Sequence, residues 1–485
     1  MYKNLFKQTA IYGIATVVPR MLSFILVPLY TSPGVLPREE YGEVSILFAW
    51  MVFFNVLLSY GMETAFFRFY HGSDDRPRVI STSTISILAT TLIFTLMALL
   101  GRHYLADGAN MDVRYIILSI FIIALDALVI IPFSRLRAEG RPMLYAGIKI
   151  GNVGLNLLLN VFFLLMLPGL AETYAWADAI YIRDFQVGYI FVANLVASLA
   201  TFIFLLPGYF RMKWDFDRAL WNRMLAYALP VLLAGVAFAI NEHFDKILLE
   251  KLLPADIAKS ETGAYSACYK IALFMTLFAT AFRLGIEPFF FSHSGNEKAP
   301  QTYAVITKYF VIFGSVILLG VIVFADVIKL VLLPNQAYWE AMKVVPLIVL
   351  ANLFLGIYTN LSIWYKLTDR TKMGAYISLV GAAVTLLLNF LLIPIWSYYG
   401  SAVATLAAYG AMMLISWKLG EKYYPIPYDI PKIAGYLAVS LGFAALSFYL
   451  FRGNLAIGIA LLLGFLGFVY YNEKDTLGRI ARRKT

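Results

Sequence analysis

The feature that most constrains this chain is a series of apolar stretches, each about 20 residues long, that recurs from its beginning to its end. A helix of that length crosses the roughly 30 Å hydrocarbon core of a bilayer. The weaker alternating stretches of about ten residues that indicate a membrane β-barrel do not occur. The chain is 61% hydrophobic and 14% charged, whereas a soluble domain carries about a quarter charged residues. These features predict an all-α membrane protein.

The apolar stretches predict fourteen transmembrane helices joined by short loops. The predicted spans are 8–30, 41–64, 80–101, 112–134, 143–168, 186–207, 219–243, 262–284, 302–324, 341–364, 372–395, 400–420, 431–451 and 453–471. The first stretch is too long for the core of a cleavable signal peptide. No loop is long enough to hold a soluble catalytic domain.

The placement of positive charge supports this map and gives it an orientation. Loops on the side predicted to be cytoplasmic carry 25 of the 39 lysine and arginine residues, and loops on the other side carry 10. Cytoplasmic loops of membrane proteins are enriched in these residues, so both termini are predicted to be cytoplasmic. The net charge of +10 therefore faces anionic lipid, and no nucleic-acid partner is expected.

Metal, redox and nucleotide chemistry find little support in the sequence. The single cysteine, Cys268, excludes a disulfide within the chain, and the four histidines form no HExxH pair. Asp215-Phe216-Asp217 matches a glycosyltransferase metal motif by chance, since no nucleotide-binding domain surrounds it. No P-loop is present. We expect no cofactor beyond a possible coupling ion, H⁺ or Na⁺.

Two segments of the chain resemble each other. Gly61-Met62-Glu63-Thr64-Ala65-Phe66-Phe67 follows the second span, and Gly285-Ile286-Glu287-Pro288-Phe289-Phe290-Phe291 follows the eighth. At an offset of 224 residues, Glu63 aligns with Glu287. At an offset of 229, Asn160 aligns with Asn389 and Arg137 aligns with Lys366. A repeat of six spans predicts two parallel lobes, a known transporter plan with the substrate between them.

The repeat divides the chain into three predicted parts. Residues 1–210 form an N-lobe of helices 1–6, and residues 211–425 form a C-lobe of helices 7–12. Residues 426–485 add helices 13 and 14 and a basic cytoplasmic tail.

Ionisable residues inside the spans are candidates for function because charge at membrane depth is costly. Four basic residues remain within the spans and would bind an anionic headgroup: Arg20, Lys149, Lys270 and Arg283. Arginine suits phosphate because its planar donors bind in pairs. Three acids would balance that charge or carry a coupling proton: Glu63, Glu287 and Asp126. Asp245 and Lys246 are expected near the outer surface.

Structural roles compete with each of these assignments. A lysine near a span end snorkels to the interface, which would explain Lys149 and Lys270. Arg283 and Glu287 are four residues apart and would form an ion pair along one helix face. Glu63 would likewise sit in an ion pair at a span end, and Asp126 in a hydrogen bond between helices.

Several segments together resemble the polysaccharide transporter family. These are Gln8-Thr9-Ala10-Ile11-Tyr12-Gly13, Val27-Pro28-Leu29-Tyr30-Thr31, Glu40-Tyr41-Gly42, Gly61-Met62-Glu63 through Phe66-Phe67-Arg68, and Leu388-Asn389 through Ile393-Pro394 to Gly400-Ser401-Ala402. This family contains the O-antigen flippases (Wzx-type) of the multidrug/oligosaccharidyl-lipid/polysaccharide exporter superfamily, and it is related to the lipid II flippases.

The resemblance implies a flippase in the bacterial cytoplasmic (inner) membrane. It implies that a lipid-linked (undecaprenyl-pyrophosphate) oligosaccharide is moved across the bilayer by alternating access for surface polysaccharide synthesis. Arg20 and Glu63 match positions where the related group carries a functional arginine and acid. Polysaccharide polymerases and glycosyltransferases are the expected partners.

Three other functions stay open at this point. The sequence barely distinguishes a lipid II flippase for peptidoglycan from a flippase for surface polysaccharide. An exporter of cationic drugs would place acids in its cavity, whereas the four residues left within these spans are basic. A membrane enzyme, such as a polymerase or ligase, would need a larger external loop.

Overall fold

The structure is a computed structural model that describes residues 17–19, 21–292 and 297–482, without the side chains at 288, 291, 292 and 475–482. Within these ranges the regular structure is entirely helical. Twelve of the described helices are long and apolar enough to cross a membrane. The predicted all-α, multi-pass membrane fold is therefore confirmed.

The chain divides into two compact units, Met1–Gly263 and Ala264–Thr485. The spanning helices of the N-terminal unit are α1 (Val17–Tyr30), α2 (Arg38–Gly72), α3 (Arg76–Leu100), α4 (Val113–Ala138), α5 (Pro142–Ala171), α6 (Gln186–Phe210) and α7 (Arg218–Leu252). Helix α6 packs against α4 and α5, and α7 packs along α2.

Helix α8 (Ala255–Glu287) begins in the N-terminal unit and continues into the C-terminal unit. The helices that follow are α9 (Ala299–Val323), α10 (Gln336–Leu367), α11 and α12 within Thr371–Tyr423, α13 (Ile430–Leu450) and α14 (Leu455–Lys474). Helix α10 packs against the pair α11 and α12, and α9 packs against α10 and α13.

Twelve described helices and fourteen predicted spans are consistent. The 53-residue run Thr371–Tyr423 is broken at Ser397, whose φ is 50°, so it holds the predicted eleventh and twelfth spans. The first predicted span, 8–30, is described only as the apolar helix α1, from residue 17 onward and without Arg20.

The observed units and the predicted lobes differ in where they place helix α7. The sequence assigns this helix to a C-lobe that starts at residue 211. In the structure it packs against α2 within the N-terminal unit. The division into lobes stays a prediction.

A break in α2 depends on a glycine. Tyr60 and Gly61 adopt left-handed backbone angles, with φ of 31° and 73°, and glycine adopts this conformation at little cost. A Cβ atom at Gly61 would lie only 2.4 Å from the carbonyl oxygen of Ala228 in α7. Gly61 therefore allows both the turn in α2 and the close approach of α7.

Helices α4 and α6 are both interrupted near their C-terminal ends by a proline. Pro132 has no N–H, so the carbonyl of Leu128 loses its helical donor. The Tyr209 hydroxyl of α6 donates to that carbonyl at 2.6 Å. Helix α6 has a similar interruption at Leu206, before Pro207. These interruptions shape the surface at the end of both helices.

Candidate functional site

The seven candidate residues are divided between the two units. Arg20 lies outside the described residues. Glu63, Asp126 and Lys149 belong to the N-terminal unit, and Lys270, Arg283 and Glu287 belong to the C-terminal unit.

Asp126 lies within α4 and is partly buried. Its Oδ1 accepts a hydrogen bond of 2.8 Å from Ser198 Oγ of α6. Asn55 of α2 and the cation of Lys149 in α5 also interact with this carboxyl group. A hydroxyl donor and a nearby cation are what a carboxylate at membrane depth requires. The contact with Ser198 is the inter-helix hydrogen bond that competes with a coupling role.

Lys149 lies two turns into α5 and is partly buried. Its Nζ is 4.4 Å from the centre of the Phe133 ring, which is within the range of a cation–π attraction. Its charge is attracted by Asp126 and Glu63. Lys149 therefore lies in the electrostatic field of both acids.

Glu63 forms an ion pair at the end of its span, as its competing structural role predicts, but its partner, Arg137, was not predicted from the sequence. Its Oε1 accepts a hydrogen bond of 2.6 Å from Arg137 Nη1, and both side chains remain about two-fifths exposed. The Arg137 guanidinium also lies 4.7 Å from the centre of the Phe67 ring. Arg137 thus neutralises Glu63 and holds the end of α4 against α2.

Glu287 forms the corresponding pair in the C-terminal unit. Lys366 Nζ donates to Glu287 Oε1 at 2.5 Å, which joins α8 to α10. The predicted pair between Arg283 and Glu287 is therefore wrong, because the acid meets a cation of the neighbouring helix instead. Arg283 is exposed and has no ion pair or hydrogen bond to any described residue.

The two ion pairs occupy equivalent positions of the sequence repeat. Glu63 aligns with Glu287 and Arg137 aligns with Lys366, and each unit joins its acid to its cation. Arg137 and Lys366 were aligned in the sequence repeat, but neither was predicted to belong to a site. The repeat offsets of all four residues were the signal that would have identified both pairs.

A second equivalence involves two buried asparagines. Asn160 and Asn389 are both fully buried, and the Nδ2 of each donates to the backbone carbonyl four residues earlier. The Oδ1 of Asn160 accepts from the Tyr30 hydroxyl, and that of Asn389 accepts from Ser401 Oγ. Each asparagine therefore ties its helix to another helix, which supports the repeat.

Lys270 lies at a local change in helix type. It begins a short 3₁₀ turn, Lys270–Ala272, which interrupts α8. Such a turn inside a longer helix often marks a hinge. The side chain is partly buried, and the sequence pattern gave no sign of this interruption.

Asp245 and Lys246 are buried within the N-terminal unit, with exposed fractions of 2% and 9%. Their expected place near the outer surface of the membrane stays a prediction, because packing against other helices does not fix the depth of a residue in the bilayer. Lys246 Nζ lies 2.9 and 3.0 Å from the two carboxylate oxygens of Asp245. Helix α7 continues to Leu252, beyond the predicted end of its span, which carries both residues into the packed part of the unit.

The Asp215-Phe216-Asp217 segment has a structural role. Arg78 forms ion pairs with both aspartates, and Ser81 Oγ hydrogen-bonds the backbone of Asp215. Asp217 also caps α7 by accepting from the backbone N–H of Leu220, which holds the pKa of this partly exposed carboxyl below its usual value. No cluster of three or more potential metal ligands occurs among the described residues.

Comparison with known families assigns the chain. Residues 5–291, more than half of the sequence, match the family described as polysaccharide biosynthesis protein. The chain belongs to this family. A membrane protein of Methanocaldococcus jannaschii, itself named as uncharacterized, is 23% identical over 192 residues, 40% of this chain. The match spans 44% of the length of that relative.

Solved structures with the same fold include flippases and exporters. A lipid II flippase in an inward closed conformation has a TM-score of 0.72 at 16% identity, over 95% of this chain and 99% of its own. An inward-facing multidrug resistance transporter of the MATE family has a TM-score of 0.66 at 13% identity, over 84% of this chain and 97% of its own. A related transporter from Pyrococcus furiosus has a TM-score of 0.58 at 14% identity, over 86% and 95%. The family predicted from the sequence is confirmed, and the solved structures confirm the predicted fold.

Proposed function

We propose that this protein is a flippase that moves an undecaprenyl-pyrophosphate-linked oligosaccharide across the cytoplasmic (inner) membrane by alternating access. The product would supply the synthesis of a surface polysaccharide, such as the O-antigen of lipopolysaccharide. No covalent bond is made or broken in this process. Polymerases and glycosyltransferases would act before and after it.

One observation carries this proposal: a chain of the polysaccharide biosynthesis family has the fold of a lipid II flippase over nearly the full length of both proteins. Members of a biosynthetic family that consist of membrane helices are suited to move a lipid-linked intermediate. The headgroup of such an intermediate is large and anionic, and it crosses an apolar barrier only if the protein supplies cations and polar groups.

The basic residues of the spans supply those cations in this proposal. Lys149 carries its charge into α5, and the guanidinium group of Arg283 is exposed and unpaired within the described residues. An unpaired guanidinium keeps its fork of donors available for a phosphate. Arg20 and Lys270 complete the set by their position within predicted spans.

The acids would balance charge or carry a coupling proton. Glu63 and Glu287 are already paired with Arg137 and Lys366, which favours charge balance for both. Asp126 is held by Ser198 and lies near Lys149, so a change in its protonation would alter the field at that lysine. This arrangement favours Asp126 as the coupling residue.

A lipid II flippase is the second candidate function. It is favoured by the fold of the solved lipid II flippase, which covers 99% of that protein. The substrates of both candidate functions carry a sugar that is linked by pyrophosphate to a polyprenyl chain, so the same cations would bind either substrate. The two substrates differ in the sugar.

Reconstitution into liposomes tests the proposal directly. A fluorescent undecaprenyl-pyrophosphate oligosaccharide and fluorescent lipid II are scored for leaflet accessibility, with and without an imposed ion gradient. The site variants are Arg20→Gln, Lys149→Gln and Arg283→Gln. The matched control is Arg218→Gln, which removes an exposed cation whose side chain forms no ion pair or hydrogen bond with a described residue.

Each result of this assay has a defined meaning. Translocation that the site variants lose and the control keeps supports both the function and the cation site. Translocation that survives every site variant rejects the site and keeps the function. Transport of lipid II alone selects the second candidate, and transport of neither lipid rejects the flippase. A gradient dependence that persists in Asp126→Asn rejects the coupling role.

A further inference from the structure

A cavity of about 260 Å³ lies in the N-terminal unit where the ends of α3, α4, α5 and α6 meet. We name it the helix-end cavity. Its lining combines three arginines and one glutamate with apolar side chains from all four helices, and Gly208 of α6 also lines it. None of these residues belongs to the candidate transport site.

The charged residues of the helix-end cavity give it a net charge of +2, from three arginines and one glutamate. Glu139 is shared, because its carboxylate lies 2.6 Å from Arg135 Nε and 3.3 Å from Arg141 Nε. The side chain of Arg211 is exposed and forms no ion pair or hydrogen bond with the described part of the chain. Two guanidinium charges are therefore left for an anionic ligand.

The lining changes from charged to apolar in the same direction along three helices. Arg135 and Glu139 lie at the end of α4, with Ile131 one turn further in. Arg211 follows the end of α6, with Phe204 two turns further in. Arg141 precedes α5, with Leu144 inside it. Phe204 and Leu144 are 60% and 38% exposed, so an apolar surface continues beside the cavity.

We propose that the helix-end cavity binds an anionic phospholipid, with its phosphate at the arginines and its hydrocarbon chain along Phe204 and Leu144. Basic pockets between helix ends at the cytoplasmic interface bind such headgroups. The order of charge and apolar surface fits a lipid that lies parallel to the helices. A soluble anion would use only the charged end. The site does not depend on what the protein transports.

Two variants remove different parts of this site. Arg211→Gln removes the unpaired charge. Gly208→Leu fills the cavity without changing its charge, and the space around this glycine is open, since a Cβ there meets no atom within 4 Å. The matched controls are Arg218→Gln, an exposed arginine outside the lining, and Gly147→Leu, a glycine with equally open surroundings elsewhere on α5.

The measurement is photo-crosslinking of the full chain in phosphatidylcholine nanodiscs that contain a photoreactive phosphatidylglycerol. Labelled peptides are mapped by mass spectrometry. We expect labels on α4 and α6 near the cavity, reduced about fivefold in Arg211→Gln, since one basic residue near the surface contributes about that factor. Gly208→Leu is expected to reduce them as well, while both controls label as the wild type does.

Three outcomes would overturn the assignment. Equal losses in Arg211→Gln and Arg218→Gln would mean that only general surface charge attracts the lipid. Equal labelling by a photoreactive phosphatidylcholine would mean that the cavity does not select a negative charge. Displacement by inorganic phosphate as effectively as by unlabelled phosphatidylglycerol would make it a phosphate site without a lipid chain. Thermal unfolding of each variant confirms that the fold is retained.

Discussion

Glu473 and Glu63 each form an ion pair, but the two pairs differ in burial and therefore in how much they contribute to the free energy of unfolding. Glu473 of α14 is 1% exposed and lies 2.6 Å from Lys308 Nζ of α9, and it also accepts from the Tyr436 hydroxyl of α13 at 2.9 Å. Glu63 and Arg137 remain about two-fifths exposed. Removing one partner of a buried pair leaves an uncompensated charge, whereas an exposed pair is worth little.

We therefore expect Glu473→Gln to lower the free energy of unfolding by about 3 kcal/mol, because it leaves the ammonium group of Lys308 buried and unpaired. Glu63→Gln is expected to cost no more than about 1 kcal/mol. Unfolding of both variants in the same detergent measures the difference. Equal losses would show that exposure does not govern these pairs.

The residue scale also shows the limit of reading the sequence. Position alone identified Glu63, Glu287 and Lys149 as charged groups in or near spans. It did not identify their partners, because those depend on which helices pack together. Glu287 meets Lys366 of α10 rather than Arg283 of its own helix. The rule that residues four apart pair along a helix describes an isolated helix. It does not predict whether a cation on a neighbouring helix will take the acid instead.

Helices α13 and α14 lie outside the sequence repeat. The hairpin that joins them is held by an ion pair to Asp326, a residue that follows α9. Asp326, which follows α9, is contacted by Lys329 Nζ at 2.5 Å and by the guanidinium of Arg452 at 3.3 Å. Partial burial raises the pKa of Asp326, but the hydrogen bonds from Arg452 and Lys329 outweigh it, so the pKa lies below its usual value.

This shift predicts how the hairpin responds to acid. A carboxyl group whose pKa is lowered by folding stabilises the folded chain above its unfolded pKa of about 4, and this contribution is lost as the pH falls through the lowered value. We expect hydrogen exchange at the start of α14, corrected for intrinsic rates, to accelerate below about pH 4. In Asp326→Asn it should be fast at every pH. An unchanged acid response in that variant would exclude Asp326 as the cause.

The glycines of the repeat provide a test at the level of the helix. Gly61 has a left-handed backbone and no room for a Cβ beside Ala228. Its repeat equivalent, Gly285, lies within the α-helical segment Leu273–Ser292, which follows the 3₁₀ turn of α8, and a Cβ there meets no atom within 4 Å. The same substitution should therefore have opposite effects.

We expect Gly61→Ala to destabilise the chain by about 2 kcal/mol or more, from the left-handed backbone and the contact with α7. Gly285→Ala should stabilise it by up to about 1 kcal/mol, because alanine favours a helix over glycine. Melting temperatures of the two variants, measured side by side, decide the matter. A loss of stability in both would mean that the break in α2 is not what distinguishes them.

At the scale of the molecule, hydropathy was a sufficient guide to where the helices lie. A backbone in hydrocarbon must satisfy its own hydrogen bonds, so an apolar stretch of spanning length has one solution, a helix. Interruptions within helices were not predicted. The break at Gly61 accompanies a close approach of α7, and the break at Lys270 is a change from α-helix to a 3₁₀ turn. Mean hydropathy does not detect either feature. The assignment of α7 to the N-terminal unit is likewise a matter of packing.

The predicted orientation of the whole molecule is open to a direct test. The only cysteine, Cys268, is buried, and its Sγ donates to the Tyr338 carbonyl at 3.2 Å. A serine hydroxyl makes the same hydrogen bond, so Cys268→Ser should fold and provide a background without thiols. Asp74 and Thr173 are both exposed, and the charge distribution places them on opposite sides of the membrane.

In that background we expect Thr173→Cys to react with a membrane-impermeant maleimide added to intact spheroplasts, and Asp74→Cys to react only after the membrane is opened. The physical reason is that 25 of the 39 basic residues fall on the side of residue 74, and basic loops are retained in the cytoplasm. The opposite labelling would invert the topology and place the helix-end cavity at the outer face. Labelling of both positions from outside would mean that an even number of spans lies between them, not the three predicted. The repeat unit would then not hold an even number of spans, as two parallel lobes require.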